Sequence, residues 1–332
     1  MKYIKYIIIA DILAVLFFGF YFYYQFLPVG AGQEKIITIE RGQSLSGIAA
    51  KLQDEKLIKS AFYFKLAAKI KGCENKVKFG EYKISPKNST LAILNQIVEG
   101  RVYMHLVTIP EGFTIGQITE RLSKEKIVNK DEFLDLAKNN TTIEINGNRP
   151  PTLEGYLFPD SYFFPKGMSA AEVINVFVGK FNEKIVPLYE EAKKQNKKLM
   201  PLDDIIKLAS IVEAEARLDK ERPVIASVYY NRLNKKILLQ CDATIQYVLE
   251  KRKININYAD LAIDSPYNTY LYPGLPPTPI GNPGLASVKA VLYPENTQYF
   301  YFVRNDKAGD GSHIFSRTYD EHLKAIDKYQ IY

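Results

Sequence analysis

An almost unbroken apolar run near the N-terminus constrains this chain more than any other feature. Residues Tyr6 to Leu27 are nearly all aliphatic or aromatic, and Asp11 is the one charge among them. That length matches the roughly 20 residues a helix needs to cross a bilayer. Lys2 and Lys5 precede the run, and no Lys or Arg follows until Lys35. The positive-inside rule then makes residues 1–5 a cytoplasmic tail and 6–27 a transmembrane helix, with the remaining ~300 residues on the outer side. Tyr21, Phe22, Tyr23 and Tyr24 have the composition of an interfacial aromatic belt. A cleaved signal peptide is the competing reading. Gly30-Ala31-Gly32 is a poor cleavage site and the run is long, so an uncleaved anchor is favoured. No lipobox cysteine follows the span, which argues against a lipoprotein.

The chain of 332 residues is long enough for about two domains. Its net charge of +7 is compatible with an anionic polymer or a membrane surface. The basic residues are spread out, without the dense runs of a nucleic-acid binder, so no nucleic-acid partner is expected. Aromatic rings are abundant, 24 Tyr and 18 Phe, and most belong to cores, although such faces also suit sugar rings. Cys73 and Cys241 form no CxxC motif, and His105, His313 and His322 are the only histidines. No metal site, zinc hydrolase or cofactor is therefore expected. A disulfide between the two cysteines is not expected either, since they fall in separate predicted domains.

Two segments repeat. Ile37-Thr38-Ile39-Glu40-Arg41-Gly42 leads to Ser44, Ile48, Leu52, Phe62 and Leu66, and Val107-Thr108-Ile109-Pro110-Glu111-Gly112 leads to Thr114, Ile118, Leu122, Phe133 and Leu136. Each reads as a strand, a Gly turn, a helix capped by Ser44 or Thr114, and a second helix. Lys78 to Ile84 reads as a returning strand, which makes the first copy β-α-α-β. That order and pattern resemble the LysM module, a small peptidoglycan-binding fold. A spacer that has lost any ligand site is an equally good reading. The LysM-like region is set at 35–150, with copies at 36–86 and 105–140, and Pro150-Pro151 marks its end.

Beyond it, a helix is predicted from Ala170 to about Lys194, another from near Leu202, and a third from Pro223 to about Leu233. Ser265 to Gly284 is rich in Pro and Gly and must be mostly loop, and long loops in compact domains tend to be functional. On the helix from Leu202, a wheel puts Ile205, Ile206, Leu208, Ala209, Val212 and Ala216 on one stripe. Glu213 falls inside that stripe, and Glu215 falls at its polar edge. A desolvated Glu has a raised pKa and can act as a general acid near neutral pH. The plain alternative is an ion pair with Arg217 at i+4.

Six ordered blocks raise the chemical reading: LEGYLFPDSY from Leu153, LASIVEAEA from Leu208, ERPVIASVYYNRL from Glu221, LQCDATIQY from Leu239, SPYNTYLYPGLPPTPIGNPG from Ser265, and YFVRNDKAGDGSHIFSRTYDEH from Tyr301. Together they resemble the endolytic murein transglycosylase family, of the MltG/YceG type, over essentially the whole chain. The resemblance implies an α+β protein: an N-terminal transmembrane helix, a LysM-like βααβ region and a mixed α/β catalytic domain at 151–332. It implies cleavage of the β-1,4 bond between N-acetylmuramic acid and N-acetylglucosamine inside nascent glycan strands, leaving 1,6-anhydro ends and ending strand elongation. Glu213 matches the family's catalytic acid. The implied location is the bacterial cytoplasmic membrane, single-pass, with the catalytic domain outside, and peptidoglycan synthases are implied partners. A non-catalytic peptidoglycan-binding or divisome scaffold and a water-using muramidase are the alternatives.

Sugar-binding candidates come from the other blocks. Gln240, Asp242 and Thr244 alternate as on an extended segment, which would send all three to one side. Tyr267, Asn268 and Thr269 could meet sugar hydroxyls and N-acetyl groups, Asn231 and Arg232 end a helix near the expected cleft, and Ser312 and His313 sit in a Gly-flanked loop. Each has a structural reading beside the functional one. Asp242 is either a second carboxylate across the cleft or, the favoured reading, a residue that orients a helix start or loop. Glu154 and Asp160 read as structural.

Overall fold

The computed structural model describes residues 2–249, 253 and 256–331. The chain divides into two compact units, residues 1–105 with 163–167, and residues 106–162 with 168–332.

The first unit opens with α1 (Lys2–Tyr24), and its segment Tyr3–Tyr24 is long and apolar enough to cross a membrane. The helix stops three residues short of the expected Leu27. Leu27 precedes Pro28, and a residue before proline is pushed out of the helical region, so Gln25–Leu27 close in a turn instead. Lys59 Nζ donates to the Tyr24 carbonyl at 3.1 Å, and Tyr63 packs edge-on against Phe22 and Phe26. There follow β1 (Lys35–Ile39), α2 (Leu45–Asp54), α3 (Ala61–Ile70), β2 (Gly80–Ile84) and α4 (Thr90–Glu99). β1 and β2 pair antiparallel with Lys35 opposite Ile84. The Ser44 hydroxyl caps α2 as expected, by accepting the Gly47 N–H. Ile37, Ile39, Ile48, Leu52, Phe64, Tyr82 and Ile93 fill one core, and burial there is the main source of stability.

β3 (His105–Thr108), α5 (Ile115–Lys124), α6 (Lys130–Lys138) and β4 (Ser161–Phe164) repeat the order strand, helix, helix, strand, and β3 and β4 form a second two-stranded sheet. The repeat therefore has its own return strand, delayed by the segment that carries LEGYLFPDSY. Thr114 caps α5 in a full capping box with Gln117.

The second unit continues with α7 (Ala170–Lys184), α8 (Val186–Gln195), α9 (Leu202–Glu215), α10 (Arg222–Asn234), α11 (Asp242–Val248), α12 (Tyr258–Leu261), α13 (Leu285–Leu292), β5 (Tyr301–Arg304), β6 (His313–Ser316) and α14 (Tyr319–Tyr329). One long helix was expected over 170–194. Pro187 cannot supply an N–H to the preceding turn, so the helix breaks at Ile185 and restarts as α8. α9 lies against α13 and α10, and its residues Ile205, Ile206, Leu208, Ala209, Ile211 and Val212 are all buried. Residues 262–284 contain no helix or strand, in line with the Pro/Gly composition. Cys73 and Cys241 are both free, buried thiols.

Candidate active site

Glu213 stands on the last turn of α9. The C-terminal end of a helix carries partial negative charge and is a poor place for a carboxylate unless a cation comes to it. Arg222, the first residue of α10, is that cation. Its Nη1 donates to Glu213 Oε1 at 3.0 Å and also to Ser287 Oγ on α13, and its Nε donates to Asp219 Oδ1 at 3.0 Å. Arg217, the expected i+4 partner, lies beyond the end of α9 and loses that geometry. The second oxygen of Glu213, Oε2, accepts the N–H of Gly284 at 2.9 Å. Gly284 caps the N-terminus of α13, where backbone N–H groups are free for an anion. The side chains of Glu213 and Arg222 are only 7% and 9% exposed.

A second carboxyl stands beside the first. Glu111 belongs to the turn between β3 and α5, and that turn is pinned by Asn282. The Gly112 N–H donates to the Asn282 carbonyl at 2.7 Å, and the Asn282 N–H returns to the Phe113 carbonyl at 2.9 Å. The Asn282 amide also donates to Phe113 O at 2.8 Å and to Glu154 Oε1 at 3.0 Å, while its oxygen accepts the Leu157 N–H at 2.8 Å. Gly112 has φ +75, the left-handed region that glycine enters without strain. A Cβ on Gly281 would lie 2.7 Å from the Gly112 carbonyl oxygen, so the two backbones approach more closely than a side chain allows. A Cβ on Gly284 would lie 1.8 Å from Glu111 Oε1. Gly284 thus binds one carboxylate with its N–H and seats another on its bare Cα. The Glu111 residue is exposed overall. Its carboxyl is nevertheless pushed above the usual carboxylate range, first by desolvation and then by the Glu213 charge, with Arg222 opposing.

Glu154 supports this arrangement from beneath. It is 3% exposed and accepts from the Ile115 N–H, Asn282 and Tyr247 Oη. Burial outweighs those bonds and pushes its carboxyl up to about 8. The folded state therefore holds a proton that the unfolded chain releases at lower pH, so stability falls as pH rises from the ordinary carboxylate range toward about 8. The melting temperature should drop by several degrees across that window, and the drop should shrink in Glu154→Gln to what the raised Glu111 and Glu215 carboxyls contribute. Scanning calorimetry at the two ends of the window checks this. An identical drop in the variant would assign it elsewhere.

A groove of ≈ 670 Å³ begins beside this turn, lined by Phe113, Thr114, Gln117, Arg121 and Lys124 along α5.

The profile of the YceG-like family matches residues 37–328. A Bacillus subtilis (strain 168) protein named endolytic murein transglycosylase is 36% identical in an alignment of 312 positions that covers 88% of this chain and 84% of that one. A Streptococcus pneumoniae (strain D39) protein of the same name is 28% identical, over 95% of this chain but only 63% of its own length. A crystal structure of a yceG-like protein from Listeria monocytogenes superposes with a TM-score of 0.59 at 34% identity, covering 89% of this chain and 99% of that one. The chain belongs to the YceG-like family.

Of the side chains singled out in this YceG-like sequence, only Glu213 enters the cluster around Gly284. The segment 240–244 is not extended. Gln240 has φ +52, and Asp242 begins α11, so the three residues do not share a side. Gln240 Oε1 accepts from Arg232, and Asp242 accepts from Tyr270 Oη at 2.6 Å, in keeping with the orienting role. Thr244 is fully buried and bonds the Cys241 carbonyl and Thr269 Oγ1. Thr269 also caps the Cys241 N–H, and Tyr267 Oη pairs with Thr278. Asn268, likewise fully buried, donates to the Leu261 and Ile263 carbonyls. Asn231 donates to the carbonyls of Thr297 and Tyr299. Arg232 binds the carbonyls of Leu238, Leu239 and Phe300. His313 is held on β6 by Glu221, Nδ1 to Oε2 at 2.8 Å. These bonds hold loops in place.

Glu215 departs from expectation. It is not a polar-edge carboxylate but turns inward, where Cys241 Sγ donates to it at 2.9 Å. Burial, with the Asp242 charge, raises its pKa against that bond. Arg222, Ser287, Gly284, Asn282 and Glu111 were missed. The available signals were Pro110-Glu111-Gly112 and Gly281-Asn282-Pro283-Gly284, where glycines flank a polar residue.

Proposed function

We propose that this protein is a membrane-anchored endolytic transglycosylase. It cleaves the β-1,4 bond between N-acetylmuramic acid and N-acetylglucosamine within nascent peptidoglycan strands and leaves 1,6-anhydro ends. The observation that carries this reading is the seat of Glu213, a shielded carboxyl held by Arg222 and the Gly284 N–H. The names of the relatives support the substrate.

The chemistry needs one proton to leave and one to return. Glu213 gives a proton to the glycosidic oxygen as its bond to C1 breaks. Arg222 and the Gly284 N–H stabilise the carboxylate that remains, which is where charge develops in this step. The muramic acid C6 hydroxyl then attacks C1 and loses its proton to that carboxylate. The nucleophile is part of the substrate, so its attack has the proximity advantage of an intramolecular reaction and no water is consumed. An ordinary glycosidase would instead assign a second carboxyl to a nucleophile or to a water. The groove along α5 gives neighbouring sugars a surface, with Arg121 and Lys124 available to stem carboxylates. The β-α-α-β order of the first unit is consistent with a LysM-like glycan contact, and α1 would keep the site near newly made strands. On this reading, such cuts would end strand growth beside peptidoglycan synthases.

Mass spectrometry of strands digested by the full-length protein tests the reading. Anhydro-muramyl ends are expected. Reducing muramyl ends would instead identify a muramidase, and intact strands a binding scaffold.

A further inference from the structure

Arg222 and the Gly284 N–H both bind the Glu213 carboxyl as acceptor, an arrangement that suits the carboxylate left after proton transfer. It leaves open where the proton resides before transfer. Three carboxyls surround one guanidinium here. Arg222 bonds Glu213 and Asp219 directly, and Glu111 rests on Gly284 beside them. Asp219 is 84% exposed, so water solvates its charge. Glu111 and Glu213 remain, joined through one glycine, and two like charges so placed do not both ionise readily.

We propose that Glu111 is a second catalytic residue, which shares a single proton with Glu213 and keeps the site loaded as an acid. The proposal rests on the transglycosylase reading above and deepens it. Among the described residues, no donor hydrogen-bonds the Glu111 carboxyl, and the residue is exposed, so the carboxyl is open to a ligand. The charged groups that face it are Glu213 from α9, Asp219 from the turn before α10, and Arg222 from α10 itself. Ser287 from α13 is neutral and is taken by Arg222.

The steps balance. The shared proton goes to the leaving glycosidic oxygen as the C1–O bond breaks, and both carboxyls are then ionised, with Arg222 on Glu213. The C6 oxygen bonds C1, and its proton passes to the pair. One shared proton is restored, and the pair enters the next cycle as it began.

The seat on Gly284 explains a constraint in the loop. Any side chain there would drive the Glu111 carboxyl away, although the backbone φ of −75 suits every residue type. Glycine at this position is required by its neighbour across the site and not by its own conformation.

The test is the pH–rate profile of the full-length enzyme in detergent, with anhydro ends from purified uncross-linked glycan strands as the readout. Glu111 is the carboxyl held above the ordinary range, by desolvation and by the Glu213 charge, and its removal takes that reserve of protons away. Glu111→Gln should therefore move the alkaline limb down by about one pH unit or more and lower kcat by about 10²-fold at neutral pH, with KM nearly unchanged. Gly284→Ala, which removes no charge, should move the same limb in the same direction. If turnover in either variant falls below detection, the ¹³C titration of the Glu111 carboxyl, raised in the wild type, reads the downward shift in Gly284→Ala. A limb that stays in place in Glu111→Gln, or a wild-type Glu111 carboxyl that titrates in the ordinary carboxylate range, overturns the shared proton. A shift in Glu111→Gln but not in Gly284→Ala overturns the seat as its cause. Wild-type digests without anhydro ends would overturn the transglycosylase reading itself, which is a separate failure.

Discussion

Glu213→Gln is expected to lower strand cleavage by about 10³-fold or more while leaving the fold intact. The amide keeps the shape of the side chain and can still accept from Arg222 or Gly284, so neither partner moves far. It loses the proton that the leaving oxygen requires. A bound glycan gains nothing from the lost charge, so binding should survive and kcat should carry the whole effect. The check is initial rates by anhydro-end release, alongside circular dichroism and binding of intact strands. A variant that cuts at the normal rate would remove Glu213 from the chemistry.

Asn282→Ala is expected to cost on the order of 3 kcal/mol of stability and most of the activity. The side chain is completely buried and satisfies Phe113 O, Glu154 and the Leu157 N–H at once. Alanine would leave the Leu157 N–H without a partner, and an orphaned buried donor costs more than the net value of a hydrogen bond. Glu154 would also lose a donor, and the turn that presents Glu111 would lose its brace. The midpoint of a urea transition should fall with its slope unchanged. A midpoint within error of wild type would show that the Gly112–Asn282 backbone bonds hold the turn unaided.

The long apolar N-terminal helix and the helices around Glu213 were legible in the sequence because each is set by local periodicity or by length. So were the caps at Ser44 and Thr114, since a hydroxyl before an apolar run is a local signal. Pro187 and Pro28 carry signals of the same local kind, yet the apolar pattern around them outweighed the proline rule. Glu213 could be found because burial of a charge on an apolar stripe is visible within one helix. Glu111 could not. Its character comes from Gly284 and Glu213, which the chain reaches only after a long excursion, and the adjoining Pro110 and Gly112 signal a turn but not those partners. Asn268 and Thr269 read as sugar contacts for the converse reason. Polar residues in a Pro/Gly-rich loop look available for sugars, but such a loop needs buried side chains to bond its own backbone.

The bond from Asn282 to Phe113 spans 169 residues. Loops of that size close late in folding, after local helices are in place. A chain interrupted between residues 213 and 282 would own both carboxyls and lack the Asn282 and Gly284 that hold them. For the glycan-cutting function proposed above, this would amount to a safety catch. The cluster around Glu213 is assembled only once the chain has reached Gly284.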